Sequence, residues 1–389
     1  MKAKVITPDN LFVLFSSLSL LFHVFNNLNI SEGIKVFHLF ALLALVSGIP
    51  HIKTNLAIHK RPIFLIICTF ISSFLSRYSG SLSLSISFFI IVTSTIGLNK
   101  ANSQKILLLN NILAPFVIAI LLYFVFQFQF YRFQGFYDDP NYLCTTLLVY
   151  LYLIIIYFTH NNSRIVRILL IVEMLAIFII ISYTISRTGM LCAILMLFTA
   201  FSTFFIKSWK QTILLALLLT PFIIKVIPNV LDTQVDRFEE RIYDSNDNAE
   251  NAADYRRHLS QRGIDYVINH PQMIPFGIGL GALAHNDVLE DFDSSDKHGD
   301  HNTFTACFTE QGLFAFLFLI SFFLLLFKFV YYRRKTPNGY LKLMAFLIFL
   351  LFGISINQTT YLPFWWMLFY LANDMSNENP TRRVLRTVR

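Results

Sequence analysis

Charged residues are scarce in this sequence, and their scarcity excludes an ordinary soluble domain. Asp, Glu, Lys and Arg make up 14% of the 389 residues, whereas a soluble domain has about 25%. Hydrophobic residues make up 55% of the chain and aromatic residues 16%. A bilayer core about 30 Å thick needs about 20 mostly apolar residues per helical crossing, and such runs recur along the chain. The composition therefore predicts a membrane protein with many spans.

Cysteine is also scarce, and its placement excludes a disulfide framework. The four cysteines lie in or beside apolar runs, with no metal-ligand spacing and no pairing within a loop. They are Cys68, Cys144, Cys192 and Cys307. We expect all four to be packing residues.

Many of the basic residues lie in alternate loops, which argues against a nucleic-acid partner despite the net charge of +8. By the positive-inside rule these loops and both termini lie in the cytoplasm. The basic loops contain Lys53, Lys60 and Arg61; Lys100 and Lys105; Arg164 and Arg167; Lys207 and Lys210; and Arg333, Arg334, Lys335 and Lys342. The positive charge is thus a signal for membrane topology.

The apolar runs predict an all-α polytopic membrane protein with about twelve transmembrane helices and cytoplasmic N and C termini. The predicted spans lie near 11–29, 34–50, 62–76, 81–98, 106–127, 142–158, 165–184, 189–206, 211–228, 303–330, 341–357 and 359–373. The predicted organisation is nine helices within 1–228, one large outer loop at 229–302, three helices within 303–375, and a basic cytoplasmic tail at 376–389.

The large outer loop is the one candidate extramembrane domain. It holds 15 of the 23 acidic residues. The stretch DYRRHLSQRGIDYVINHP predicts a short amphipathic helix that Pro271 stops, whereas residues 244–254 read as flexible. The glycine-rich FGIGLGA at 276–282 lacks the context of a dinucleotide site and predicts a flexible turn that lets backbone approach another segment.

Polar motifs fall on the outer side of the predicted topology. RFQGFYDDPNY carries Arg132, which opposes the charge bias of the other loops and is either functional or a lipid-headgroup anchor. The DDPN residues within this stretch are typical of a turn, so a surface turn without a functional role is the alternative interpretation of them. Arg187, in the SRTG motif, lies between two spans with almost no loop, so we favour a functional role over a helix-end anchor.

The outer loop adds further candidates. Three arginines surround its amphipathic helix, namely Arg256, Arg257 and Arg262, although a solvated charged face is an alternative. His301 precedes Asn302 at the membrane boundary, and histidine exchanges a proton near neutrality. His298, Asp300 and His301 are weak evidence for a metal site, so we expect none.

The arginines and histidine together predict an anionic, lipid-linked substrate. The planar guanidinium group of arginine presents N–H donors that match the oxygens of a phosphate. When a sugar is transferred from a lipid diphosphate, the main electrostatic requirement is to neutralise the departing pyrophosphate. The acceptor hydroxyl also needs its proton removed or oriented, which gives His301 a role. The activated phosphate bond supplies the energy, so no ATP site or cofactor is expected.

In order along the chain, these residues resemble the motifs of the bacterial O-antigen ligase/polymerase family. The matching positions are Arg132, Gly135, Pro140 and Asn141; Ser186, Arg187 and Gly189; the arginines at 256–257; and His301, Asn302, Glu310 and Gly312. The resemblance implies metal-independent, inverting transfer of an undecaprenyl-diphosphate-linked glycan on the periplasmic face of the bacterial inner membrane. It assigns Arg187 and Arg257 (or Arg256) to the pyrophosphate and His301 to the acceptor.

The resemblance also implies substrate-binding residues and partners. The substrate-binding set is Arg132, Arg256, Arg262, Asn141, Asn302, Ser186 and Glu310. The partners are the lipid-linked glycan, a glycan or lipid A core acceptor, the bilayer and a chain-length regulator. A surface-polysaccharide polymerase is favoured, with an O-antigen ligase as the alternative. A lipid-linked-glycan flippase is the alternative of another class, and the absence of two related polar halves argues against it.

Overall fold

The computed structural model describes residues 7–31, 34–55, 60–98, 100–128, 132–202, 245–284, 301–336 and 338–373. The predicted ninth span at 211–228, the basic tail at 376–389, and His298 and Asp300 lie outside these residues. The part that is described is helical apart from one short hairpin and connecting turns.

Twelve helices follow one another along the described residues. They are α1 (Pro8–Val24), α2 (Val36–Asn55), α3 (Lys60–Leu75), α4 (Ser81–Ile96), α5 (Lys100–Phe128), α6 (Pro140–His160), α7 (Arg164–Tyr183), α8 (Arg187–Ser202), α9 (Ser245–Asn269), α10 (Thr303–Tyr332), α11 (Gly339–Ser355) and α12 (Leu362–Ala372). Two single 3-10 turns follow α9, at Pro271–Met273 and Ala282–Ala284. Eleven of the twelve predicted spans therefore contain a helix.

Four helices in the described part are long and apolar enough to cross a membrane, namely α5, α6, α7 and α10. Six further apolar helices are shorter. This is the architecture of an all-helical polytopic membrane protein, as the composition predicted.

The sequence did not predict the hairpin between α1 and α2. Strands β1 (Asn29–Ser31) and β2 (Ile34–Lys35) pair antiparallel, with Asn29 opposite Lys35. The pairing gives backbone groups partners at the point where the chain reverses between two apolar helices.

Two helices form the centre of the bundle. Every residue of α12 is buried, and α6 is buried on most of its surface. Trp366 of α12 donates its indole N–H to Ser16 Oγ of α1 at 3.2 Å, and its ring stacks on Tyr370. A helix that is apolar all round can lie inside a bundle or against lipid, and the burial of α12 places it inside.

Helix α10 is broken at Gly312, which has φ 87° and ψ 175°. Its 30 residues would span about 45 Å at 1.5 Å per residue. The break leaves Leu313–Tyr332 as an apolar part about 30 Å long, which matches the hydrocarbon core of a bilayer. The break thus lies near one edge of the membrane-spanning part of the helix.

The segment after α9 pairs with the backbone of this break. Leu313 N–H donates to Ile274 O at 2.8 Å, and Gly279 N–H donates to Glu310 O at 2.8 Å. Ser72 Oγ of α3 also donates to Glu310 O, at 2.5 Å. The backbone groups that the break releases are therefore satisfied by a neighbouring segment and by a side chain, as a membrane helix requires.

The glycine-rich stretch makes this close approach geometrically feasible. A Cβ on Gly277 would lie 2.5 Å from the Glu310 carbonyl, and one on Gly312 would lie 2.4 Å from Phe276 Cα. The sequence predicted a flexible turn here that lets backbone approach another segment. The structure shows that the approached backbone is the break in α10, and that Ile278 and Leu280 are buried there.

The prediction for the start of the outer helix was wrong. Residues 244–254 read as flexible, yet α9 begins at Ser245 and is 25 residues long, not short. The sequence of this stretch has three alanines, the residue with the highest helix propensity. As predicted, the helix ends just before Pro271.

We predict that Gly312→Ala destabilises the protein by about 2 kcal/mol or more, because a side chain at positive φ is strained and its Cβ would overlap the backbone of residues 275 and 276. Gly353→Ala is the matched control, since the nearest atoms to a Cβ in that helix belong to side-chain rings, Phe364 at 3.3 Å and Phe304 at 3.6 Å. Thermal unfolding in detergent measures both. Equal melting temperatures for the two variants would contradict the account of the break.

Candidate functional site

Four helices begin at the same end of the bundle, close to one another. The first residues of α6, α8 and α10 and the turn before α12 are joined by side-chain hydrogen bonds described below. Helix N-termini carry partial positive charge and free N–H groups, so their convergence favours an anionic ligand. The predicted motifs at 132–141, 186–189 and 301–302 all lie at this end.

The RFQGFYDDPNY turn packs against the corner between α7 and α8. Arg132 Nε donates to Thr184 O at 3.3 Å, and Phe133 N–H donates to Tyr183 O at 2.9 Å. Asp139 caps α6 by accepting from Asn141 N–H at 2.7 Å. The first motif is thus a shaped turn, and its Arg132 lies beside the SRTG corner.

The SRTG motif forms the start of α8. Ser186 Oγ accepts from Gly189 N–H at 3.0 Å and donates to Asn141 Oδ1 at 2.5 Å. Arg187, the first residue of the helix, is exposed. A Cβ on Gly189 would lie 2.5 Å from Cys144 Sγ, so glycine lets α8 approach α6. The two motifs are therefore directly bonded to each other.

The backbone before Ser186 is strained. Ile185 has φ 50° and is buried. A β-branched residue in the left-handed region costs about 1–3 kcal/mol and persists only where its surroundings enforce it. The strain lies at the residue that sets the direction of Ser186 and Arg187.

His301 lies immediately before α10. Asn302 caps this helix, because its Oδ1 accepts from Phe304 N–H at 2.8 Å and from Thr305 N–H at 3.4 Å. His301 is half-buried. Its position is set by the Asn302 cap and by Thr303, whose Oγ1 donates to Ile356 O at 3.0 Å.

The turn between α11 and α12 belongs to this cluster, and the sequence interpretation missed it. Gln358 is fully buried and bonds to both α6 and α10: its Nε2 donates to Thr145 Oγ1 at 3.3 Å, and its backbone N–H donates to Thr303 Oγ1 at 2.8 Å. The polar run Asn-Gln-Thr-Thr between two apolar spans was the available signal. Gln358 Oε1 has no hydrogen-bond partner among the described residues.

A buried hydroxyl network lies beneath the first motif. Tyr137 OH donates to His23 O at 2.7 Å and contacts Thr146 Oγ1 at 3.0 Å, and Thr146 Oγ1 contacts Tyr361 OH at 2.7 Å. Burial raises the pKa of Tyr137, so its phenol stays protonated and remains a donor. The network ties the 132–139 turn to α1, α6 and α12.

The three outer-helix arginines have different environments. Arg257 is exposed, whereas Arg262 is 4% exposed and donates Nη2 to Leu283 O at 3.1 Å. The side chain of Arg256 lies outside the described part of the structure. Arg262 thus holds the turn at Ala282–Ala284 against α9, which is a structural contact.

Helix α9 runs beside the first turns of α10 in the same direction. Thr305 Oγ1 lies 3.5 Å from Ser260 Oγ, and a Cβ on Gly263 would lie 3.1 Å from Thr309 Cγ2. Continuing this register one turn back brings position 257 level with about residue 301.

Glu310 is buried, with 3% of its surface exposed. The Glu-x-Gly motif coincides with the break in α10, where the Glu310 carbonyl accepts from Gly279 and Ser72. The backbone contacts explain this motif without a substrate.

The fold and the cluster define a polytopic membrane protein that presents arginine and histidine side chains around converging helix N-termini. Comparison with known families shows a partial match: residues 171–320 match the model of a family described as O-antigen ligase. The match supports the predicted O-antigen ligase/polymerase family and a function of that general type. The match includes Arg187, Arg257 and His301, whereas Arg132 and Asn141 precede it. No curated protein matches the chain.

We predict that Tyr137→Phe lowers the free energy of unfolding by about 1–3 kcal/mol, because buried polar groups of His23 and Thr146 lose a partner. Tyr157→Phe is the control, since this residue of α6 is half-buried and outside the network. Thermal unfolding in detergent distinguishes them. An unchanged melting temperature for Tyr137→Phe would show that the network does not hold the turn.

Proposed function

We propose that this protein is a glycosyltransferase that moves an undecaprenyl-diphosphate-linked glycan onto a sugar hydroxyl. The reaction takes place on the periplasmic face of the bacterial inner membrane, with twelve spans and both termini in the cytoplasm. The observation that carries the proposal is the joining of the Arg132, Arg187 and His301 motifs at one end of the bundle. The O-antigen ligase match over residues 171–320 supports it.

The donor pyrophosphate binds at the start of α8. Arg187 is exposed at this N-terminus, where the helix dipole adds to its positive charge. A guanidinium fork matches two phosphate oxygens and stabilises the charge that develops as the lipid diphosphate leaves. In this proposal the arginines, rather than a metal ion, neutralise the leaving group. Arg132 lies beside the same corner and contacts the glycan-proximal phosphate.

Arg257 supplies the second cation. The register of α9 along α10 brings position 257 level with His301, and the residue is exposed. Arg262 is already committed to Leu283 O and is nearly inaccessible. These contacts favour Arg257 over Arg262 as the loop arginine of the family pattern.

His301 acts on the acceptor. A neutral imidazole takes the proton of the acceptor hydroxyl as its oxygen attacks the anomeric carbon. The bond from that carbon to the diphosphate oxygen breaks, and undecaprenyl diphosphate leaves with the electron pair. Attack from the opposite side inverts the anomeric configuration. Each step needs only groups that the cluster and the donor provide.

The identity of the acceptor distinguishes a polymerase from an O-antigen ligase. A polymerase passes the glycan to another lipid-linked repeat unit, and a chain-length regulator is then a partner. An O-antigen ligase passes it to lipid A core. We favour the polymerase on the RFQGFYDDPNY stretch, and the experiment below separates the two.

We predict that Arg187→Ala and His301→Ala each lower transfer by about 100-fold or more, because each removes a group that acts in the transition state. The gene is deleted and complemented with each variant, lipopolysaccharide is separated on a gel, and lipid-linked glycans are extracted. Core with one repeat and no ladder indicates a polymerase. Bare core with long lipid-linked glycan indicates a ligase.

Arg77→Ala is the matched control for charge removal. Arg77 is exposed in the turn between α3 and α4, whose Ser76 lies against Gly279, and it has no role in the proposed reaction. The Arg77→Ala variant, expressed at the normal level, should restore the normal ladder of lipopolysaccharide bands on the gel. A normal ladder with well-inserted His301→Ala would remove this residue from the mechanism, and an unchanged ladder in the deletion strain would point to another acceptor or to transport.

We predict that Arg257→Ala and Arg262→Met separate activity from stability. Arg257→Ala should abolish transfer with an unchanged melting temperature, because an exposed side chain is lost. Arg262→Met should lower the melting temperature, because the Leu283 carbonyl loses its donor. Purified variants are compared by thermal unfolding and by transfer rate. The opposite pattern would make Arg262 the pyrophosphate ligand.

A further inference from the structure

We propose that Gln358 is a positioning residue for glycan transfer: it fixes the start of α10, and hence His301, relative to Arg187. The inference rests on the proposed function, because it concerns the spacing of the group that acts on the acceptor and the group that binds the pyrophosphate. Gln358 lies on the α11–α12 turn, outside the matched residues 171–320.

The backbone of this turn holds the first residue of α10. Gln358 N–H donates to Thr303 Oγ1 at 2.8 Å, and that hydroxyl in turn donates to Ile356 O at 3.0 Å. Thr303 is 1% exposed, so water does not compete for these bonds. Since His301 is two residues before Thr303, the turn determines where the imidazole emerges.

The side chain of Gln358 connects this point to the pyrophosphate side of the site. Its Nε2 donates to Thr145 Oγ1 at 3.3 Å, and Thr145 Oγ1 donates to Asn141 O at 3.0 Å. Asn141 Oδ1 accepts from Ser186 Oγ at 2.5 Å, and Arg187 follows directly. A continuous path of hydrogen bonds thus runs from the start of α10 to the start of α8.

The direction of the bonds makes the amide specific. Thr145 gives its one hydroxyl hydrogen to Asn141 O, so it can only accept from Gln358. A glutamate at position 358 would place an oxygen, rather than an N–H donor, against Thr145 Oγ1. A methionine would keep about the same side-chain volume but has no hydrogen-bond donor. Neither residue reproduces the connection, so the amide can be tested with an isosteric change.

The test compares Gln358→Met with Thr359→Val in purified protein reconstituted in liposomes. Thr359 is in the same turn and nearly as buried, but its hydroxyl bonds only locally, to Asn357 Oδ1 at 2.7 Å. We expect Gln358→Met to lower kcat by about tenfold or more, because small misplacements of a catalytic group are costly. The KM for the lipid-linked donor should stay within about twofold, since the arginines that bind it are intact. Thr359→Val should match the wild type.

A second readout does not depend on activity. Hydrogen exchange of the peptide covering residues 301–306, measured by mass spectrometry in nanodiscs, should speed up by about tenfold in Gln358→Met, because the turn that holds Thr303 loses its side-chain bond to Thr145 of α6. Thr303→Val cuts the same path at its α10 end and should give the same change. Exchange in α11 serves as the internal reference and should stay constant.

The outcomes separate this inference from the proposed function. Wild-type kcat in Gln358→Met, or unchanged exchange at 301–306, overturns the positioning role while leaving glycan transfer intact. A general loss of melting temperature with equal loss of donor binding overturns it too, since it indicates only a packing role. No transfer by the wild type, with exchange responding as expected, refutes the proposed reaction and retains the tether.

Discussion

The structure depends on how the broken backbone of α10 is satisfied. An unpaired N–H or C=O group in the hydrocarbon region costs several kcal/mol, so a spanning helix can break only where another segment pairs with it. Here residues 274–279 provide that pairing at Gly312. The same contacts fasten the segment that follows α9 to the membrane-spanning helices. This segment is thereby fixed against the bundle by backbone hydrogen bonds, and the four cysteines are free thiols.

This attachment brings distant parts of the chain to one place. With the break fixed, α9 lies along the first turns of α10, and Arg257 and His301 come from the two sides of that contact. The turn at 356–361 then connects the start of α10 to α6, and Asn141 connects α6 to Ser186. Hydrogen bonds in a low-dielectric setting are strong and directional, which suits a site that must hold separate charged groups at fixed spacing.

The sequence could predict the features that depend on local composition. Apolar runs located eleven of the helices, and turn chemistry identified DDPN, where Asp139 does cap α6. It could not predict the role of Gln358, which bonds to residues more than 50 and more than 200 positions away. Apolar helices carry little information about which neighbours they pack against, so contacts between helix ends have no local signal. The break at Gly312 was visible only as a motif, without its backbone partner.

In the proposed reaction the converging helix ends transfer a lipid-linked glycan without further energy input. The most direct measurement uses purified protein in liposomes with a defined polyprenyl-diphosphate oligosaccharide and no nucleotide, and follows glycan mass and released lipid diphosphate. We expect products that gain whole repeat units on a lipid-linked acceptor, or one glycan on a lipid A core acceptor, with one lipid diphosphate released per bond. Intact donor that only moves between leaflets would rule out glycan transfer and indicate a transporter.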